Sequence, residues 1–232
     1  MIVLVPAYEP GERLLALLRA LRDAAPTARL LVVDDGSGPA WAPLFADVRA
    51  LGCTVLTHPE NRGKGAALRT GFRHALDSWP GEDVVCADAD GQHAPADVLR
   101  VADRLDGGDV VLGVRGFTGA VPLRSRLGNA LTRTLFRLAT ARDVRDTQTG
   151  LRAYAGSLLP ELLTVPGDRF EYEVAVLLRV VRRGLPLHQE DIATIYLEGN
   201  ASSHFRPVVD SVRVYAPLLA FLLSSLAAVS RG

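Results

Sequence analysis

The sequence has little of several features that would place it in a specialised class of protein. Its formal net charge is zero, since 26 basic residues balance 26 acidic ones, so it lacks the positive field of a general nucleic-acid binder and we expect no nucleic-acid partner. Two cysteines, Cys53 and Cys86, are too few for a disulfide framework, and both lie in apolar, strand-like runs, so we expect buried free thiols in a reducing compartment. With 48% apolar and 22% charged residues over 232 positions, the composition is that of an ordinary globular protein.

Long hydrophobic runs are also missing. The N-terminal stretch lacks basic residues and reaches Pro6 after only a few apolar residues, which predicts a strand and not a signal peptide. No residue from Tyr215 to Ser230 is charged, but the strongly apolar part, 216–223, is shorter than the roughly 20 residues of a membrane-spanning helix. We expect residues 207–232 to form an apolar helical element, which is a core helix, a helix on a membrane surface or the stub of a membrane region.

Two common phosphate-binding motifs are absent from the sequence. There is no GxGxxG fingerprint, and the segment at 61–65 (Asn-Arg-Gly-Lys-Gly) is not a Walker A loop, because no Ser or Thr follows Lys64. That segment nevertheless has two glycines at the predicted start of a helix, where backbone N–H groups favour anions. Lys64, the only lysine in the chain, is therefore a candidate for contact with nucleotide phosphates.

Short β-rich runs alternate with helical patterns through the first half of the chain. The runs are of the fully buried type and lie at 2–5, 30–33, 54–56, 84–87 and 110–113. Helical spacing of apolar residues fills the intervals at 12–24, 66–78 and 95–105. This order predicts an α/β fold, a Rossmann-like and mainly parallel sheet flanked by helices, with ligands at the carboxyl ends of the strands. In the second half we predict helices at 124–141, 171–183 and 210–229, a short strand after 146–152, and a strand at 187–196.

The strongest chemical signal is the acidic pair that follows the run at 84–87. Asp88 and Asp90 are spaced i, i+2, so on an extended chain their carboxylates point the same way. Hard oxygen ligands in this arrangement suit Mg²⁺ or Mn²⁺ shared with substrate phosphates, and Gln92 or His93 could add a ligand or a hydrogen bond. The alternative is a solvated acidic turn that caps the next helix, but carboxylates concentrated there without a cation would repel each other.

A second acidic pair, Asp34 and Asp35, follows the run at 30–33. One of these carboxylates could accept a hydrogen bond from a ribose hydroxyl or a base N–H, as acidic residues do in dinucleotide-binding folds. The alternative is an Asx-type turn before Pro39, which needs no ligand. Both interpretations stay open at this point.

Arginines follow the run at 110–113. Arg115, Arg124 and Arg126, with Ser125 between the last two, suggest a second anionic group, because guanidinium forks are natural partners of phosphate oxygens. Arg124 and Arg126 could instead lie on a solvated helix face. Asp146, in a polar turn before the short strand, is a candidate acid/base or orienting group.

Two glutamates, Glu171 and Glu173, flank Tyr172 at the predicted start of a helix. Carboxylates in the first turn interact favourably with the positive end of the helix dipole. We interpret this pair as serving the helix dipole.

Six motifs, taken in order, resemble those of the family-2 glycosyltransferases, and within them the dolichyl-phosphate mannosyltransferase-like or polyprenyl-phosphate glycosyltransferase branch. The motifs are Val5-Pro6-Ala7-Tyr8-Glu9, Val33-Asp34-Asp35-Gly36-Ser37, Asn61-Arg62-Gly63-Lys64-Gly65, Asp88-Ala89-Asp90-Gly91-Gln92, Ser125-Arg126-Leu127-Gly128-Asn129 and Asp146-Thr147-Gln148-Thr149-Gly150. The chain departs from the branch at Pro10 and at Leu127-Gly128, and only Arg124 remains of the basic cluster that usually precedes the fifth motif. The stretch from Ser203 to Ser225 resembles relatives that continue into a four-helix membrane domain.

The resemblance implies an A-type glycosyltransferase fold in a catalytic domain at 1–206. It implies a metal-dependent, inverting transfer of a hexose from a nucleoside-diphosphate sugar, of the GDP-mannose or UDP-glucose type, to a polyprenyl phosphate. Asp88, Asp90 and Gln92 would hold the metal. The other implied roles assign acceptor-phosphate contacts to Arg115, Arg124, Ser125 and Arg126, catalytic roles to Asp90, Arg115 and Asp146, and nucleotide-sugar contacts to Pro6, Tyr8, Glu9, Asp34, Asp35, Lys64, Asp88, Ala89 and Asp90.

The nature of the acceptor decides whether a base is needed. A lipid phosphate is already anionic at neutral pH, so it needs positioning by arginines and no general base. A sugar or small-molecule hydroxyl would have to lose a proton to a carboxylate, for which Asp146 is the candidate. A non-catalytic sugar-nucleotide binding protein and a nucleotidyltransferase are further alternatives. With a lipid acceptor, we expect a cytoplasmic location at the inner face of the membrane.

Overall fold

The computed structural model describes residues 1–107, 109–116, 123–195, 213 and 215–223, and for 123–127 it describes the backbone alone. The strands within these ranges are β1 (Ile2–Ala7), β2 (Arg29–Asp34), β3 (Thr54–Thr57), β4 (Val84–Cys86), β5 (Val110–Arg115), β6 (Arg152–Tyr154) and β7 (Leu187–Ile192). They form one sheet in the order β3-β2-β1-β4-β6-β5-β7. All neighbouring strands are parallel except β6, which is antiparallel to both β4 and β5. The predicted mainly parallel α/β sheet is therefore confirmed.

Helices cover both faces of this sheet. The described helices are α1 (Arg13–Ala24), α2 (Ala42–Ala50), α3 (Lys64–Ser78), α4 (Pro95–Asp103), α5 (Leu123–Thr140), α6 (Leu159–Leu162) and α7 (Glu171–Arg182). Five of them match predicted helices to within a few residues, whereas α2 and α6 were not predicted. The sequence signal for α2 is weak because it buries only Phe45 and Val48.

Two hydrophobic cores lie on the two faces of the sheet. Alternate residues of β1 point to opposite faces, so Ile2 and Leu4 join the core that contains Phe72 of α3, and Val3 and Val5 join the one that contains the leucines of α1. All four β1 side chains are fully buried. Each contributes about 1.5–3 kcal/mol through the hydrophobic effect. Burial on both faces explains why the strands are continuous apolar runs instead of alternating ones.

The C-terminal element is described only in part. Residues 215–223 are helical, and Leu218 is buried in the same core as Phe136. The Arg182 guanidinium of α7 lies 4.7 Å from the centre of the Phe221 ring. One face of this segment therefore packs as a core helix does. The rest of the predicted helix at 210–229 lies outside the described residues, and no helix within them is long and apolar enough to cross a bilayer.

Candidate active site

A cavity of about 550 Å³ opens where β1, β2 and β4 end. The sheet order places β2 and β3 on one side of β1 and β4 on the other. The loops that leave β1 and β4 therefore diverge, and a crevice forms at this switch point. Of the nine predicted nucleotide-sugar residues, eight line the cavity: Pro6, Tyr8, Glu9, Asp35, Lys64, Asp88, Ala89 and Asp90.

The turn after β1 is held in a strained conformation. Glu9 has a φ of 47°, in the left-handed region that a non-glycine residue seldom adopts. Its backbone N–H donates to Ser37 Oγ over 2.9 Å, which ties this turn to the loop after β2. A hydrogen bond with Glu9 is the main cause of a raised pKa for the Tyr8 hydroxyl. The two loops thus form one wall of the cavity.

The Asp34–Asp35 pair divides its work between two loops. Asp34 Oδ1 accepts from the Ser37 N–H over 2.9 Å, which is the Asx-type turn considered above. Asp35 accepts from the N–H groups of Arg62 and Gly63 over 3.0 and 2.7 Å. Its Oδ1 also lies 2.7 Å from Nδ1 of His58. Asp35 therefore anchors the loop that precedes α3, and only the cavity-facing remainder of its surface is available to a ligand.

Lys64 lies between two carboxylates at the start of α3. Its Nζ is 2.7 Å from Asp88 Oδ1 and 3.0 Å from Glu173 Oε2. Burial opposes the ammonium charge, but the two carboxylates outweigh it and raise the pKa of Lys64. In this structure Lys64 pairs with the acidic motif, a role that sequence reasoning did not assign to it.

The two carboxylates of the acidic motif differ electrostatically. Burial favours the neutral form of Asp88, but the charge of Lys64 and then the nearby His93 ring outweigh it, so the pKa of Asp88 lies below its usual range. Burial, followed by the charge of Asp88, raises the pKa of Asp90. A divalent cation at Asp90 would offset both the burial of its carboxylate and its repulsion by Asp88. Asp90 Oδ1 also accepts from the Gln92 N–H over 2.9 Å, which fixes the turn.

These residues fit a divalent metal that shares its ligands with a substrate. No group of three or more His, Cys, Asp or Glu side chains among the described residues could hold a metal ion unaided. Two carboxylates beside a cavity instead suit Mg²⁺ or Mn²⁺ completed by phosphate oxygens. His93 is buried, both its ring nitrogens lack a hydrogen-bond partner within the described structure, and its Nε2 is 3.7 Å from Asp88 Oδ2. The acidic turn thus includes two buried ring nitrogens, both of His93, that could still form a hydrogen bond to a ligand.

The cavity has a wall that the sequence did not reveal. Arg169 and Phe170 line it, and the Arg169 guanidinium donates to Asn61 Oδ1 over 3.0 Å. A Cβ added at Gly63 would lie 2.4 Å from the Asp168 carbonyl oxygen, so this glycine lets the two segments meet. Nothing in the local pattern around 167–170 marked it, because it follows a helix and not a strand end.

A second cavity, of about 630 Å³, lies beside α5. Arg115, Arg133, Arg137 and Arg145 line it, together with Asn129 and Leu138. Two contacts of 2.7 and 3.2 Å join the Arg115 guanidinium to the carboxylate of Asp146, which has no exposed surface. The side chains of Arg124, Ser125 and Arg126 lie outside the described part of the chain, so their predicted acceptor contacts stay predictions.

The segment 146–150 contacts one lining residue of each cavity. Its first residue, Asp146, holds Arg115 beside the arginine-lined cavity. Its last residue, Gly150, packs against the acidic motif, because an added Cβ would lie 2.1 Å from Asp88 Oδ2. One short stretch of backbone thus contacts both predicted ends of the site.

The chain is similar in sequence and in fold to several known proteins. The family model "Glycosyl transferase family 2" matches residues 2–160. The chain is 30% identical over 195 residues to polyprenol monophosphomannose synthase of Mycolicibacterium smegmatis, covering 79% of this chain and 72% of that protein. It is 31% identical over 193 residues to undecaprenyl-phosphate mannosyltransferase of Micrococcus luteus, covering 79% and 78%. In fold it resembles glucosyl-3-phosphoglycerate synthase from Mycobacterium tuberculosis, crystallised with Mn²⁺, UDP and glucosyl-3-phosphoglycerate, at a TM-score of 0.70, 20% identity and coverage of 95% and 79%.

We predict that Asp35→Asn weakens nucleotide binding by loosening the loop before α3. An asparagine keeps one acceptor oxygen, but its NH₂ group replaces the other. That NH₂ group would face one of the backbone N–H groups that now donate to Asp35. The free energy of unfolding should fall by about 2 kcal/mol. Urea unfolding, and calorimetric titration with UDP and with GDP, measure the two effects.

Asp34→Asn is the matched control for this prediction. Its side-chain oxygen can still accept from the Ser37 N–H, so both measurements should change little. Equal losses in the two variants would contradict the anchoring role of Asp35.

Proposed function

The chain belongs to glycosyl transferase family 2, and from that premise we propose that it transfers a hexose from a nucleoside-diphosphate sugar to a polyprenyl phosphate. The transfer inverts the configuration at the anomeric carbon of the hexose. One observation carries the proposal: the segment 146–150 contacts Asp88 of a carboxylate-lined cavity through Gly150, and Arg115 of an arginine-lined cavity through the buried carboxylate of Asp146. Carboxylates suit a metal–diphosphate donor and arginines suit an anionic acceptor.

The donor end is proposed to use Mg²⁺ or Mn²⁺. Asp88, Asp90 and Gln92 would hold the ion, which when bound offsets the charge that accumulates on the departing diphosphate. The Mn²⁺ and UDP that accompany the M. tuberculosis relative support this assignment. Lys64 keeps Asp88 ionised, and Tyr8, Glu9 and Asp35 form the wall proposed for the nucleoside.

The acceptor end is proposed to bind a lipid phosphate. The names of the M. smegmatis and M. luteus relatives both refer to polyprenyl phosphates. A phosphate monoester needs no general base at neutral pH, and Asp146, fully buried and bound to Arg115, is poorly placed to act as one. Arg115, with Arg124, Ser125 and Arg126, would hold and partly neutralise the phosphate.

Nucleotide release across a panel of GDP- and UDP-sugars tests the function directly. With Mg²⁺ or Mn²⁺ present, we expect one donor to give release that polyprenyl phosphate stimulates at least tenfold over hydrolysis alone. Chelation of the metal should abolish the stimulated rate. Release from every donor that ignores the lipid would contradict the lipid acceptor and leave family membership untouched.

Asp146→Asn separates an anchoring role from a base role. As an anchor of Arg115, Asp146 acts on acceptor binding, so the KM for the lipid phosphate should rise about tenfold while kcat falls less than tenfold. As a base for a hydroxyl acceptor, its loss should lower kcat by about 10²–10⁴-fold. Steady-state kinetics with the preferred donor distinguish these outcomes, with donor affinity unchanged as the internal check.

The outer face of α5 supports a location at the membrane surface. This helix carries four arginines and no acidic residue, and Leu131 and Leu138 are 50% and 68% exposed. Exposed leucines among arginines are typical of helices that lie in the interface of an anionic bilayer. Leu219 and Leu223 are exposed on the segment 215–223 as well. We therefore propose that the catalytic domain at 1–206 and the element at 207–232 work at the inner, cytoplasmic face of the membrane.

The double variant Leu131→Glu, Leu138→Glu should lose membrane binding. Two carboxylates remove the apolar contact and oppose the arginines beside them, so sedimentation with phosphatidylglycerol vesicles should fall at least fivefold. Ala16→Glu, at an exposed position of α1, is the control and should sediment like the parent protein. Binding that survives the double variant would show that another surface contacts the lipid.

A further inference from the structure

Four charged side chains form a row that starts at the wall of the donor cavity and continues into the buried interior, and we call it the ion row: Asp88, Lys64, Glu173 and Arg152. Lys64 links Asp88 to Glu173 through the contacts described above. Glu173 Oε1 then lies 3.7 Å from Arg152 Nε. Glu173 and Arg152 are only 7% and 1% exposed. The signs alternate along the row, so Lys64 and Glu173 each lie between two opposite charges. Arg152, at the end of the row, has backbone carbonyls in place of a second carboxylate.

Arg152 ties this row to the segment 146–150. Its Nε donates to the Thr149 carbonyl over 2.8 Å and its Nη2 to the Thr147 carbonyl over 3.0 Å. Its Nη1 donates to the Glu173 backbone carbonyl over 2.6 Å. The planar guanidinium thus fixes two carbonyls of the segment against the first turn of α7 by donating from three separate nitrogens, and a single ammonium nitrogen could not occupy all three positions.

One end of the row is a predicted site residue, and the other end holds a segment that carries one. At one end Asp88 is a candidate metal ligand, and Gly150 packs directly against its carboxylate. At the other end the segment held by Arg152 carries Asp146, which binds Arg115. Any displacement of the row would therefore move the Asp88 carboxylate relative to Arg115.

Stability alone is a poor reason for such a row. A buried ion pair loses hydration that its mutual attraction often fails to recover, and apolar replacements of similar volume are often as stable or more so. Interaction with the helix dipole does not explain Glu173 either, because its carboxylate points into the interior to meet Lys64. The row is better explained if the reaction depends on the charge of Asp88 at one end and on the position of the segment 146–150 at the other.

We propose that Glu173 and Arg152 are positioning residues for the transfer reaction. Glu173 shares the charge of Lys64, so Asp88 keeps net negative charge for a divalent cation, and Arg152 holds the segment that aligns Arg115 with the donor. This inference rests on the proposed function, and it assigns roles to two residues that contact neither substrate.

Glu173→Gln tests the first role with almost no change in shape. The full charge of Lys64 then falls on Asp88, so the affinity for Mn²⁺ in the presence of UDP or GDP should fall about tenfold. Calorimetric titration measures this without any turnover. In the transfer assay the half-saturating Mn²⁺ concentration should rise by a similar factor, and excess Mn²⁺ should restore most of the rate.

Glu171→Gln is the matched control. It removes the same charge from the same first turn of α7, and its amide oxygen can still accept from the N–H groups of Asp168 and Arg169. Mn²⁺ affinity should then stay within twofold of the parent value. Equal losses in both variants would assign the effect to the helix dipole, and unchanged Mn²⁺ affinity in Glu173→Gln would overturn the first role.

Arg152→Lys tests the second role. It keeps the charge but replaces three donor nitrogens by one, so the contacts to the segment and to α7 cannot all be kept. The kcat for transfer should then fall at least tenfold while Mn²⁺–nucleotide affinity stays within twofold. Thermal unfolding shows whether the variant is folded at the assay temperature. A folded variant with parental kcat overturns this role. If the variant is unfolded at that temperature, parent and variant are compared at a lower temperature at which both are folded, and the same two outcomes decide.

The two proposals fail in different ways. If the parent protein transfers nothing to polyprenyl phosphate, the proposed function is wrong, but the calorimetric comparison of Glu173→Gln with Glu171→Gln still decides the role of Glu173. If the parent protein transfers the hexose, and Glu173→Gln matches it in both the calorimetric titration and the transfer assay, the proposed function stands and the positioning role of Glu173 is wrong.

Discussion

The site depends on one buried contact, the Lys64 ammonium held between Asp88 and Glu173. It joins three parts of the chain that are distant in sequence: the start of α3, the turn after β4 and the first turn of α7. Because the ammonium is largely removed from water, its charge is compensated by protein carboxylates and not by solvent. The charge on Asp88, and therefore its proposed role as a metal ligand, depends on this contact.

The cavity around that contact is shaped by backbone packing as much as by side chains. Asp35 uses its carboxylate on the loop before α3, and Gly63 lets the same loop touch the segment that carries Arg169. Glu9 accepts a strained conformation that is tied to the loop after β2. Strain and close approach of this kind place the cavity walls before any ligand arrives.

The two ends of the site are chemically unlike. Carboxylates dominate at Asp88 and Asp90, whereas Arg115 and the arginines of α5 dominate at the second cavity. A family 2 glycosyltransferase that moved a hexose from a metal-bound diphosphate to an anionic acceptor would need this separation of charge. Asp146 holds Arg115, which lines the second cavity, and its own carboxylate has no exposed surface.

The sequence by itself determined the mainly parallel sheet and the five principal helices, and eight of the nine residues that it predicted for the nucleotide sugar line the first cavity. Buried strands and the motifs at their ends are local patterns, which is why they could be read from the sequence. The partners of those residues were not local. Glu173 looked like a dipole-complementing carboxylate, Arg152 carried no signal, and Arg169 followed no strand end. Only the tertiary structure decided that these charges meet, since their pairing depends on how α7 and β6 pack against the sheet.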